Sequence, residues 1–162
     1  MKMDKNGGYF RIVPEDCGAA SQIEAIVKGT TESISKLASV VARTDAELPS
    51  LPPGDREFFN DNLRAQARFM LHLNRALHTV ALAMTYLPNK NAAAASLQEA
   101  AQDLVCMRTT LHEAELGKFT GWNDGDRLFG LHKLSERVQT ASVISANDRI
   151  ISWESLEQAL PL

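Results

Sequence analysis

Apolar side chains recur at three- and four-residue intervals through most of this chain, the spacing that lines one face of an α-helix. The clearest run is Phe59, Leu63, Met70, Leu73, Leu77, Val80, Met84 and Leu87, interrupted where Gln66 takes a seam position beside Ala67. It predicts a helix over residues 55–87, on the order of 50 Å long. Such a length fits an elongated bundle, and the 4-3 alternation asks for knobs-into-holes contact with long neighbours. This second helix is expected to be the central strut, with Leu73→Ala and Leu77→Ala each costing roughly 2–5 kcal/mol.

The flanking segments carry weaker stripes. A first helix is predicted over residues 19–48 from Ile23, Ile26, Ile34, Leu37 and Val41, with Thr30 filling the gap in the stripe. Gly29 and the many Thr and Ser residues lower its local propensity, so tertiary packing must hold it. Pro49, Pro52 and Pro53 end it, and Asp55 is the expected N-cap of the second helix. Pro88, Asn89 and Asn91 form a short turn, so a third helix over residues 92–116 should return antiparallel on Leu97, Ala100, Leu104, Met107, Leu111 and Ala114. Gly117 is its natural C′ residue. A shorter fourth helix follows over residues 126–141 with Leu128, Leu131, Leu134 and Val138, and Ile150, Ile151, Trp153, Leu156 and Leu160 mark a short C-terminal helix capped by Ser152.

The fold class expected is therefore all-α: an antiparallel up-down bundle of three long helices, a shorter fourth and a short C-terminal helix. Residues 1–15 read as an extended lead-in, and residues 16–162 as one bundle domain.

Composition narrows the functions open to such a bundle. With 44% hydrophobic and 23% charged residues the chain is an ordinary globular mixture. Its net charge of -3 argues against a nucleic-acid partner, which would want a basic face, and gives no pull toward an anionic membrane. No apolar stretch reaches the length of a membrane span; the best candidate, Ala76 to Leu87, is short and interrupted by His78, Thr79 and Thr85. The N-terminus lacks an apolar signal region, so a full-length chain is expected to be soluble and cytoplasmic. Cys17 and Cys106 fit no metal or redox motif and read as two free thiols, Cys106 as a small buried hydrophobe; a disulfide between them needs a fold that brings them together.

Catalytic constellations are missing from the pattern. No Glu or Asp stands three residues before His72, His78 or His112, and His72 and His78 point to different faces of one helix. There is no HExxH, CxxC, nucleophile elbow or glycine-rich phosphate loop, so neither a metal, a cofactor nor a catalytic residue is assigned. The second helix does carry a polar band of Arg64, Arg68, His72 and Arg75 flanked by Asp61, Gln66 and Asn74, and the third offers Glu99, Asp103, Glu113 and Glu115. These are either complementary faces of neighbouring helices or a groove for an acidic partner.

Between the third and fourth helices, residues 117–129 concentrate glycines, aromatics and charge. Trp122 offers an aromatic face, and Asp124, Asp126 and Arg127 offer directed polar contacts, the combination that binds a sugar or another flat ligand. The competing assignment makes Trp122 a plug for the bundle end, with Asp124 or Asp126 capping the fourth helix.

The run Leu104 to Phe129, a helix ending in Glu115-Leu116-Gly117-Lys118-Phe119-Thr120-Gly121-Trp122 and then Gly125-Asp126-Arg127, resembles the C-terminal helical region appended to some large bacterial glycoside-hydrolase-like proteins. A Tyr-Arg pair follows the tryptophan in that pattern, where this chain has Asn123-Asp124. The resemblance implies a bacterial accessory domain beside a catalytic one and transfers no catalytic residue. Two functions are thus expected of the chain. One is a non-catalytic interaction or accessory domain that packs on a protein partner, a neighbouring domain or its own copy. The other is a carbohydrate or small-ligand module that uses the Trp122 loop.

Overall fold

The computed structural model describes residues 19–86, 89–115, and the positions 136, 138 and 139. Among these the chain is all-α, with no strand. Helix α1 spans Ala19–Glu47, α2 Pro53–Phe59, α3 Ala65–Thr85 and α4 Lys90–Glu113.

Helix α1 follows its stripe. Ile23, Ile26, Ile34, Leu37 and Val41 are half-buried, and Thr30 and Thr44 are buried in line with them. The weak propensity of its hydroxyl-rich sequence is met locally. Thr30, Thr31, Ser33, Ser39 and Thr44 each donate to a carbonyl three or four residues back, so their side chains do not compete with the helix from outside it. The helix ends in a single 3₁₀ turn, Leu48–Ser50, and Arg56 reaches back to the carbonyls of Leu51 (2.7 Å) and Pro49 (2.8 Å). That side chain staples a turn whose prolines have no N–H to give.

The second helix starts earlier than expected. Pro53 is its first residue, and the N–H groups of Asp55 and Arg56 bond to the carbonyl of Pro52 at 2.9 and 3.2 Å. Asp55 lies in the first turn and not at the cap, because proline's fixed φ already suits the first helical position. The helix then continues through one π-helical turn, Asn60–Arg64, closed by the Ala65 N–H on the Asn60 carbonyl. The predicted helix over 55–87 is thus α2, a π turn and α3 in series.

Helix α3 is the middle element. It packs most extensively on α4 and next on α1, and α1 and α4 make little direct contact. Cross-helix partners occur in reversed order: Thr30 of α1 meets His78 of α3, and Asp45 of α1 meets Arg64 at the end of the π turn. The turn into α4 is tight, with Asn89 N–H on the Tyr86 carbonyl at 2.6 Å and the Asn89 side chain capping Ala92 N–H at 3.2 Å.

The core lies between α3 and α4. Ala76 and Ala83 meet Leu97, Ala100, Ala101, Leu104 and Met107, with Phe69, Leu73, Val80 and Met84 packed around them. The third predicted stripe is therefore realised at its first four positions, and Leu111 and Ala114 are half-buried. From the predicted fourth helix, Glu136, Val138 and Gln139 are helical, and Val138 is buried in this same cluster. The rest of that helix, the C-terminal helix and the lead-in lie outside the described residues.

The seam of the second helix needs correction. Leu63, Met70 and Leu77 are 47%, 43% and 41% exposed, whereas Leu71, Ala65, Ala67, Ala76, Ala81 and Ala83 are buried. Small residues let the neighbouring backbones approach closely, so the face rich in alanine goes inside and three of the seven described seam residues stay out. Leu77→Ala is accordingly expected to cost less than about 1 kcal/mol in a urea titration. A loss of 2 kcal/mol or more would return Leu77 to the core.

Candidate functional site

The polar band of α3 is used to fasten its neighbours. Near one end, Arg64 Nε donates to Asp45 Oδ1 at 2.5 Å, and Arg68 donates to Asp45 Oδ1 and Oδ2 at 3.0 and 2.9 Å. The arginines are one helical turn apart and so share a face. Arg64 also donates to Asn60 Oδ1 at 2.8 Å, which ties the clamp to the π turn. Partial burial alone would raise the Asp45 pKa, but the hydrogen bonds and charges of Arg64 and Arg68 outweigh it, and the net is lowered from the ordinary 3.8.

A carboxyl with a lowered folded-state pKa contributes stability that is present above its unfolded pKa and lost as pH falls through the folded value. The Asp45 side chain is 37% exposed, so solvent screens the pair and its worth is a few tenths of a kcal/mol. Asp45→Asn is expected to flatten stability slightly below pH 3.8 and to leave it unchanged near neutrality apart from that small offset. Acid titration followed by circular dichroism checks this; an acid limb identical to wild type would show that the clamp is energetically idle.

Two histidines complete the band. His72 Nδ1 lies 2.8 Å from Asp103 Oδ1 on α4, and both side chains are largely buried. His78 Nδ1 lies 2.9 Å from the Thr30 hydroxyl on α1. The same hydroxyl lies 2.6 Å from the Ile26 carbonyl and 3.1 Å from that of Val27. Arg75 is exposed.

Of the acidic residues expected to face this band, Asp103 does so, Glu99 and Glu113 are exposed, and Glu115 lies 3.4 Å from His112 on its own segment. The arginines take their carboxylate from α1. Asp45 and Thr30 were not picked out in the sequence as cross-helix partners of α3. The available signal was a lone carboxylate and a lone hydroxyl on or beside an apolar stripe.

Among the described residues no three His, Cys, Asp or Glu side chains converge as metal ligands, and no helix is long and apolar enough to cross a membrane. Cys106 carries a free thiol and is half-buried, not buried, with Gln102 Nε2 3.7 Å from its sulfur. Cys17 and the proposed ligand residues Trp122, Asp124, Asp126 and Arg127 lie outside the described residues.

α3 leaves Gln66, Met70, Arg75, Leu77 and Thr85 to solvent. Among the described residues the exposed large hydrophobic side chains are Val40 on α1, Phe58 on α2, Leu63 in the π turn, Met70 and Leu77 on α3, Tyr86 after α3 and Val105 on α4. Arg64, Arg68, His72 and His78 are occupied within the fold. Comparison with protein-family models, with curated proteins and with solved structures finds no match to this chain.

Proposed function

We propose that the chain is a non-catalytic helical interaction domain that packs on a protein partner or on a neighbouring domain. The observation that carries this reading is the set of large apolar side chains exposed on the helices, Val40, Phe58, Leu63, Met70, Leu77 and Val105. Arg64, Arg68 and His78 point instead to α1, and His72 to α4. In this proposal the fourth predicted helix, which contributes Val138 to the core, completes an antiparallel bundle. An accessory place beside a larger protein follows from the resemblance of Leu104 to Phe129.

Site-specific photo-cross-linking in the native host tests the proposal. A photoreactive residue at Val40, Leu63 or Met70 is expected to give a discrete protein adduct, and one at Glu32 on an exposed polar turn of α1 none. Equal, diffuse labelling from all four positions would sink the interaction reading.

A further inference from the structure

Helix α1 is held differently from the rest of the fold. The buried cluster draws on α3, α4 and Val138, and none of its members comes from α1. Among the described side chains of α1 only Thr30 and Thr44 are buried, and both hydroxyls serve carbonyls of their own helix. The apolar stripe of Ile23, Ile26, Ile34, Leu37 and Val41 stays half-buried. Among the described elements α3 is its main support.

The specific contacts that reach across from α1 are polar. Asp45 takes Arg64 and Arg68 near the C-terminal end of the helix. Thr30 meets His78 about four turns earlier. Both contacts are made by side chains, so they can break while the backbone bonds of α3 stay intact.

The junction after α1 supplies a pivot. Pro49, Pro52 and Pro53 have no N–H, so the helical ladder of α1 cannot run on into α2. Leu51, between them, is extended. The side chain of Arg56 bridges this turn to the carbonyls of Leu51 and Pro49.

We propose that α1 is a strap that opens from α3 as one unit, swinging about residues 48–52, while the α3–α4 pair stays folded. A segment with little buried apolar surface opens at a lower free energy than the core it leans on. Once undocked, a helix rich in Thr and Ser does not keep its own backbone bonds, so its amides become exchangeable together. Opening also frees Arg64 and Arg68 at the same moment. The opened form then shows solvent a pair of cations that Asp45 holds in the closed form.

Native-state hydrogen exchange of the full chain, read amide by amide over a series of sub-denaturing urea concentrations, tests this. Amides of residues 26–44 should exchange through one shared opening, with a urea dependence smaller than that of residues 97–107. Asp45→Lys, which sets a third cation beside the two arginines, should speed the α1 amides about fivefold.

The decisive variant lies in the core. Leu104→Ala should speed the slowest α3 and α4 amides by about a hundredfold or more and leave the α1 opening at its wild-type value, because the strap opens before that core is touched. If Leu104→Ala does not fold, the milder Leu104→Val carries the same test. One common free energy and urea dependence for α1 and the core would overturn the proposal. So would α1 amides that exchange in a graded, urea-independent way from the helix ends, or that ignore Asp45→Lys. An α1 opening that shifts with Leu104 as much as the core does would mean that the three helices unfold only together, and the strap would be discarded.

Discussion

Leu104→Ala is expected to lower stability by about 3–5 kcal/mol, at the upper end for a buried leucine. Leu104 is 1% exposed and sits in the cluster that joins α4 to α3, together with Met107 at 0% and Val138. Two long helices surround the site, and neither can move inward without carrying its other contacts along, so the cavity stays open and its cost is added to the lost burial. Urea unfolding should show a lowered midpoint with little change in slope. A loss below about 1 kcal/mol would mean that the α3–α4 contact is loose. Met107→Ala should behave alike and fall short of additivity with Leu104→Ala, because the two share neighbours.

Enlarging the same interface is expected to be nearly as damaging. Ala100 has no exposed surface and clusters with Ala76 and Ala83 of α3. Ala100→Leu adds side-chain volume where alanines set the helix separation, and the facing residues have no rotamers with which to yield. The loss should reach about 3 kcal/mol, with the helices forced apart locally. Ala95→Leu, at an exposed position of the same helix, should be close to neutral and isolates packing from helix propensity. Equal stability of the two variants would show that α3 and α4 do not meet through their alanines.

The contrast among the helices shows where pattern reading works. On α4, large residues and alanines fall on one stripe, so Leu97, Ala100, Leu104 and Met107 were legible together, and all four are buried. On α1 the gap at Thr30 was correctly placed in the stripe, but its partner His78 was not, since a cross-helix bond depends on how the two helices are staggered. On α3 the large apolar residues surround more than one face, and the size of a side chain is a poor guide when alanines decide which face can approach a neighbour. The stripe at Leu63, Met70 and Leu77 was therefore assigned to the interior. The Asp45 clamp was hidden for a related reason: Arg64 and Arg68 advertise a basic edge, but nothing local says which carboxylate will reach them.

The π turn at Asn60–Arg64 has a consequence for helical phase. Its closing bond spans five residues where an α-helix spans four, so one more residue is held within the turn. Each residue of an α-helix turns the chain by about 100°. Phe58 and Phe59 consequently do not project along the line that an uninterrupted α-helix would give them relative to Leu63. Phe58 is the most exposed of the large apolar side chains among the described residues, at 71%. Removing one residue between Asn60 and Arg64 would let an ordinary α-helix run from Pro53 to Thr85 and would leave the phenylalanine pair facing much as it does now, because the wide turn already absorbs the extra residue. Related chains that lack one residue at this point can then conserve both the contacts of α3 and the aromatic face ahead of it.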